Sequence, residues 1–480
     1  MDPRTDRSHV RLAELVAALS LGIDLGFGQP MEHVLRQCLI ALRIAERVEM
    51  AEEERAAVYY SALLVNVGCN ADAHEQAKWF GDDIALKSTK FASYDMRSLR
   101  SSLATMRRIG AGNQPLHRLR VALEFVVSGH REVDSMIGTH NTFARAFAHE
   151  LGPPDAVGDA VATAYERWDG RGWPGELSGD EIPLASRIVQ LAEHVEVVQR
   201  VAGTAAACTL ARERAGKQFD PALAGLVVRD ADAIFDGLDG AGQWQSVIAA
   251  EPSLALLVSG ERFDAALAAV ATAVDIKSPY WLGHAQAVAN LAAGAGEQLG
   301  LPEAEVRTLR RAGLVHGFGR LGVSNSIWDR SGPLGAGEWE RVRMHPHLTE
   351  RMLHQSGALA PLGAIAVQLR ERLDGSGYPA ALSGAAISRP ARLLGAADAY
   401  QAMREPRAHR PELSRDEAAA QLRADVTAGT RDAEAADAVL AAAATAYRGG
   451  ARGRPGSRRG RSRCSSCWPR AGRTRKSPSA

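Results

Sequence analysis

The sequence predicts an all-α protein built as two helical domains in tandem, and three observations lead there. Strand signals are sparse, apolar residues recur at helical spacing in Leu/Ala-rich segments, and one set of landmark residues occurs twice in the same order. Helical periodicity is plain in MEHVLRQCLIALRIAERV and HAQAVANLAAGAGEQLG, and Gly and Pro break such segments into separate elements. At 480 residues the chain is long enough for about three folding units with large cores. An aromatic content of only 5%, with abundant Ala, suits closely packed helices.

The repeat is anchored by two Gly/Pro loops, ERWDGRGWPGELSG from Glu166 and ERLDGSGYPAALSG from Glu371. Other landmarks keep register with them. His140 and His345 each lie 26 residues before the glutamate, and Glu193 and Asp398 each lie 27 after it. Upstream, His33 stands 32 residues before Val65, as His284 does before His316. One interval breaks the agreement: Val65 to His140 spans 75 residues where His316 to His345 spans 29, so the first copy carries an insertion between about 69 and 130. These spacings give a first domain at 10–230, a connecting segment at 231–264, a second domain at 265–445 and a tail at 448–480.

The charge total of 57 basic and 56 acidic residues hides an asymmetry, because the tail holds eleven Lys/Arg and no Asp/Glu. The remaining body is acidic, with little general attraction for nucleic acid or an anionic membrane. Cys38, Cys69, Cys208, Cys464 and Cys467 are too scattered for a disulfide framework, which points to a reducing compartment, the cytoplasm. The polar N-terminus and the lack of any run of about 18 uncharged apolar residues predict neither a signal peptide nor a membrane span. A phosphate-binding G-x-x-x-x-G-K-[ST] loop, a strand-linked G-x-G-x-x-G and a G-x-S-x-G elbow are all missing, so those chemistries find no support. The Cys464/Cys467 pair lacks a second pair or a nearby His and is not a zinc site.

At its landmarks the second copy resembles an HD-GYP domain, the helical subgroup of the HD phosphohydrolases. His284, LVHGFGRLGVSN, the MHPH step at His345, ERLDGSGYP and ARLLGAADAYQAM follow in the family's order over nearly the whole copy. The first copy resembles the same domain more distantly. The resemblance implies a site where histidines and aspartates hold two or three metal ions, usually iron or manganese, that activate water to cut a cyclic dinucleotide such as cyclic di-GMP. Carried over residue by residue, it implies metal ligands at His284, His316, His345 and Asp398. It also implies a substrate-side loop of Asp374, Gly375, Gly377, Tyr378 and Pro379. In the first copy His33, His140, Glu166, Asp169 and Glu193 are the vestiges of the same pattern.

The second copy departs from the family where metal chemistry is most demanding. The aspartate of the His-Asp pair is Gly317, and the His-His before the loop glutamate is Leu369-Arg370. The lysine that follows in the family is Arg320, which keeps the charge and changes the geometry. Arg370 adds a fixed charge that repels cations. A two-metal centre is therefore not expected. One divalent ion, iron or manganese, at low occupancy on His284, His316, His345 and Asp398 is left open. Gly317→Asp with Leu369→His and Arg370→His is expected to raise that occupancy.

Erosion goes further in the first copy, where Val65-Asn66, Ala164-Tyr165 and Glu193 occupy the donor positions. His33 near a helix start, or Glu193-His194 within a helix, has a plain alternative as a hydrogen-bonded polar residue. In the insertion, His74, Glu75, Asp82 and Asp83 admit a separate oxygen-rich metal site, with a solvated charged face as the expected reading.

The expected function is that of an HD-GYP-type signalling protein with weak or absent hydrolysis. The alternatives are an active metal-dependent phosphodiesterase and a LuxR-type transcriptional regulator lacking an intact DNA-binding domain. The implied partner is a cyclic dinucleotide. A homo-oligomer is left open, no membrane is expected, and DNA is a partner only for an in-frame full-length relative.

That last alternative comes from residues 448–480, where the composition changes to Arg, Ser, Gly, Pro, Cys and Trp without apolar periodicity, which predicts disorder. Displacing each codon by one base lets Pro455 to Pro469 decode as a sequence with helical apolar spacing. Cys467 and Trp468 oblige the shifted codons to end in TG, giving Leu, Val or Met, so the apolar run is partly forced. The shifted reading resembles the opening of a LuxR-type helix-turn-helix domain, and the tail is read as its frameshifted start. A stop codon in the shifted frame within the tail would remove this expectation.

Overall fold

The computed structural model describes residues 9–88, 115–124, 130–240, 242–252 and 256–452. Among these, the regular structure is helical apart from two three-residue strands, as predicted. The strands, His9–Arg11 and Leu257–Ser259, pair antiparallel with Val10 opposite Val258. They tie the start of the first copy to the connecting segment, which also forms the helices Ala231–Phe235 and Gln243–Ala249. The last helix, Ala433–Arg452, runs through the first residues of the segment read as the tail. The disorder and frameshift expectations otherwise fall on residues 453–480, outside the described residues.

The duplication is visible element by element. Helices Leu12–Gly26, His33–Arg47 and Glu52–Leu64 in the first copy answer to Gly260–Asp275, His284–Gln298 and Glu303–Val315 in the second. A 3-10 turn follows each trio, Val67–Asn70 and Phe318–Gly322, and each Gly/Pro loop leads into a long helix, Leu184–Ala202 or Arg389–Arg404.

Both histidine-bearing helices start in the same way. The residue before each histidine lies in the left-handed region, Glu32 at φ 81° and Gly283 at φ 77°. A buried aspartate then takes a backbone N–H that the helix itself leaves unpaired. Val34 N donates to Asp24 Oδ1 at 3.2 Å, and Ala285 N donates to Asp275 Oδ2 at 2.8 Å. Each aspartate lies nine positions before its histidine, a repeat the landmark spacing above did not use.

The copies share one hydrophobic core. Helix Leu12–Gly26 crosses the 3-10 turn Phe318–Gly322 and helix His345–Leu353 at small residues. A Cβ on Gly22 would meet Leu321 Cδ1 at 2.8 Å, and one on Gly322 would meet Leu348 Cδ1 at 2.9 Å. The first copy thereby braces the segment that carries Arg320.

The described residues of the insertion form helices Ala73–Phe80, Asp83–Lys87 and Pro115–Glu124, and Asp83 departs from the charged-face expectation. Asp83 is fully buried against the second copy: its Oδ1 accepts from Ser324 Oγ and Asn325 N, both at 2.8 Å, and its Oδ2 lies 3.0 Å from Lys277 Nζ. Asp82 caps its own helix by accepting from Ile84 N and Ala85 N, and His74 pairs with Asp329 at 2.7 Å. Neither these residues nor Glu75 belong to a metal-binding group among the described residues. No helix of the described residues is long and apolar enough to cross a membrane.

Candidate functional site

Of the four side chains that the sequence singles out as ligands in the second copy, all buried and each from its own element, three come together. His284 opens helix His284–Gln298, His316 follows helix Glu303–Val315, His345 opens helix His345–Leu353, and Asp398 sits inside helix Arg389–Arg404. His284 Nε2 lies 3.2 Å and His316 Nε2 3.5 Å from Asp398 Oδ1. Donor atoms of these three residues lie within 4.8 Å of one another, and this is the one such group among the described residues. His345 is not part of it. Its Nδ1 bonds Val342 O at 2.6 Å, its Nε2 has no hydrogen-bond partner, and its ring stands edge-on to Trp328 and Tyr378.

Hydrogen bonding sets the state of each ring. A backbone carbonyl only accepts, so His316 Nδ1 donates to Gly313 O at 2.6 Å and leaves the lone pair on Nε2. Burial first, and the Arg320 charge second, push the pKa of His316 down to about 4, so the ring is neutral at physiological pH. Its lone pair already has a partner: Arg320 Nη2 at 3.1 Å. His345 is held well below the usual histidine range by burial, then by Arg370 and Arg320. Both nitrogens of His284 face carboxylates, Glu405 at 2.7 Å and Asp398 at 3.2 Å.

Two guanidinium groups close on Asp398. Arg370 Nη2 lies 3.0 Å from Oδ2, an ion-pair contact off the direction of a hydrogen bond, and Arg320 Nη2 lies 3.6 Å from Oδ1. Burial alone would raise the Asp398 pKa, but Arg370, His284 and His316 outweigh it and hold the carboxyl well below its usual range. Arg320, stacked 3.5 Å from the Trp281 ring centre, is pushed down to about 9 by burial and still carries its charge at neutral pH. Gly317 contributes no donor.

This donor set does not fit two ions. The bridging position has no side chain, and guanidinium groups engage the His316 lone pair and both oxygens of Asp398. A single ion on His284, His316 and Asp398 fits only where Arg320 gives up His316.

The Gly/Pro loop is organised by its first residue. Glu371, buried, accepts from Ala380 N at 2.7 Å and Leu382 N at 2.9 Å, and Glu166 accepts from Gly175 N at 3.0 Å and Glu176 N at 2.9 Å. Gly377 is required by the close approach of the chain to itself, since a Cβ there would fall 2.4 Å from Arg372 N. Gly375 turns at φ 79°, and the Tyr378–Pro379 bond is cis, as is Trp173–Pro174. Tyr378 is the loop residue that reaches the site, 6.2 Å from the His345 ring. Asp374 instead closes a local turn, accepting from Ser376 N at 3.0 Å and Ser376 Oγ at 2.8 Å. Asp169 does the same in the first copy, binding Arg167 Nη2 at 2.7 Å and Arg171 N at 3.1 Å.

In the first copy the corresponding positions form a hydrogen-bond chain. Asn66 Nδ2 donates to Glu193 Oε1 at 2.7 Å, Tyr165 OH donates to Asn66 Oδ1 at 3.0 Å, and Cys69 Sγ lies 3.1 Å from Tyr165 OH. These residues match Gly317, Asp398, Arg370 and Arg320 in register. His33 pairs with Glu196, which also accepts from Arg36 Nε at 2.7 Å. His140 Nδ1 stands 3.7 Å from Asp72 Oδ2. Burial opposes charging His140, yet Cys69 and Asp72 outweigh it and raise its pKa to about 9. A raised folded-state pKa stabilises fully below the unfolded value near 6.5, and that contribution disappears as pH rises through about 9. Urea unfolding of the wild type is thus expected to lose about 3 kcal/mol across this window, and His140→Gln to flatten the slope. An equal slope in the variant would reject the assignment.

The HD domain pattern (HD_5) matches residues 130–223 and 268–434. Over 414 residues the chain is 31% identical to 3'3'-cGAMP-specific phosphodiesterase 3 of Vibrio cholerae, covering 85% of this chain and 90% of that one. It is 32% identical over 164 residues to the cyclic di-GMP phosphodiesterase response regulator RpfG of Xanthomonas campestris, covering 34% and 43% of the two chains. The crystal structure of a cyclic GMP-AMP specific phosphodiesterase of V. cholerae, V-cGAP3, matches with a TM-score of 0.63 at 28% identity, covering 91% of this chain and 98% of that one. With the His284, His316 and Asp398 cluster and the Gly-Tyr-Pro loop in place, the chain belongs to the HD-GYP group of the HD domain family.

Proposed function

We propose that this chain is an HD-GYP-type signalling protein that takes a cyclic dinucleotide in its second copy, hydrolyses it weakly or not at all, and acts through regulation. The observation behind this reading is the Arg320 guanidinium on the His316 lone pair, beside a glycine where the family has its bridging aspartate. A metal pair, when bound, supplies an activated water and neutralises phosphodiester charge. Here residues 265–445 keep His284, His316, His345 and Asp398 while surrounding them with fixed cations. Residues 10–230, in which Asn66, Tyr165 and Glu193 are joined in a hydrogen-bond chain at the donor positions, serve as a structural partner to that copy. The relatives named for 3'3'-cGAMP and cyclic di-GMP support the ligand class.

The test is hydrolysis of both dinucleotides by purified protein supplied with manganese or iron(II). Turnover is expected to fall at least about 100-fold below that of an active relative. Robust turnover that disappears with chelator and in His345→Ala would overturn the reading. The abrupt Arg-rich composition of the tail favours a second reading, descent from a LuxR-type regulator, which the gene sequence decides.

A further inference from the structure

Buried donors with nothing to donate to mark a place for an acceptor. Arg320 is 3% exposed, and neither its Nε nor its Nη1 has a hydrogen-bond partner. Its Nη2 alone is engaged, toward His316 and Asp398. Arg370 repeats the pattern: Nη2 lies against Asp398 while its buried Nε is unpartnered. The Arg370 side chain is 27% exposed, so it links the buried group to the surface. Arg320 Cζ stands over the Trp281 ring, 3.5 Å from its centre, and the ring of Tyr378 stands 6.2 Å from that of His345, so aromatic side chains border the cationic centre. Asp398 is the carboxylate that both guanidinium groups approach within 4 Å, so the pair keeps one positive charge in excess.

We propose that Arg320 and Arg370 form an anion site that receives a phosphate of a cyclic dinucleotide without any metal ion. This rests on the reading of the second copy as a cyclic-dinucleotide module. A guanidinium group presents forked N–H donors that match phosphate oxygens and neutralise their charge. It has no vacant coordination position for water, so it generates no hydroxide nucleophile, and a phosphodiester held this way is bound and not cut. The substitutions that remove the metal centre thereby leave a receptor in its place.

The experiment is calorimetric titration of the full chain with 3'3'-cGAMP and with cyclic di-GMP in excess EDTA, repeated with manganese. At least one dinucleotide is expected to bind in EDTA. Its affinity is expected to fall about 10- to 100-fold in Arg370→Gln, and by less in Arg370→Lys, which keeps the charge and loses the fork. Arg370 is chosen because its partial exposure spares the fold, which thermal unfolding of each variant verifies. Binding that needs manganese and vanishes in EDTA would overturn this inference and leave the proposed function standing. Binding in EDTA that Arg370→Gln leaves unchanged would also overturn the inference. Binding of neither dinucleotide under either condition would overturn the proposed function together with it.

Discussion

A chain carrying Gly317→Asp, Arg320→Lys and Arg370→His is expected to retain at least about one metal ion, against well below one for the wild type. Each change addresses a separate obstacle. Arg370→His removes the cation 3.0 Å from Asp398 and supplies an imidazole donor, and Arg320→Lys withdraws the fork that occupies His316. Gly317→Asp supplies the missing carboxylate, and a Cβ there meets nothing closer than Arg320 Nη1 at 3.4 Å, so it is sterically admissible. Made alone, Gly317→Asp is expected to pair with Arg320 and bind no metal. The sequence pattern also suggests Leu369→His, but Leu369 is fully buried in the shared core, where an imidazole would be a buried polar group without a partner. Metal analysis after loading with manganese and desalting measures the effect. A triple variant that folds and stays empty would show that the arginines are not what excludes the ion.

Asp83→Ala is expected to destabilise the protein by about 3–5 kcal/mol, because it strands buried lysines without their counter-charge. Lys277 Nζ and Lys87 Nζ lie 3.0 Å and 3.5 Å from Asp83 Oδ2, and both lysines are buried. Burial works against ionising Asp83, but Lys277 and Lys87 prevail and hold its carboxyl well below the usual range. A depressed folded-state pKa contributes stability above the unfolded value, near 3.8, and loses it as pH falls further. Urea unfolding should therefore show a large gap between wild type and variant at pH 7 that narrows at pH 3. Adding Lys277→Met to the variant should recover part of the loss. A gap below about 1 kcal/mol at pH 7 would mean that the pair is solvated. The effect reaches the site, since Asp83 fixes the start of helix Asn325–Trp328 through Ser324 and Asn325, and Trp328 packs 5.5 Å from His345.

The sequence made the helical class, the duplication and the eroded donor set legible, because spacing survives when chemistry does not. His284, His316 and Asp398 come together as their register implied, and Gly317 is as empty of donors as its letter says. What spacing cannot convey is direction. Arg320 reads as a charge-conserving change, and only its geometry shows the guanidinium on the His316 lone pair. His345 keeps its place in the series yet turns its Nδ1 to Val342 and stays outside the cluster. Asp374 sits in the most recognisable motif of the chain and serves a local turn. Asp83 looked solvated because its partners Lys277 and Ser324 lie about two hundred residues away, beyond any local pattern. Asp24 and Asp275 were within reach, since their equal distance from His33 and His284 is a repeat like the others.

In the proposed function, arginines hold the second site of this HD-GYP protein in the place of a two-metal centre. Metal analysis of the wild-type chain, loaded with manganese or iron(II) and freed of unbound ion, tests it most directly. The arrangement of Arg320 and Arg370 around Asp398 predicts well below one ion per chain, whereas two ions retained per chain would contradict it.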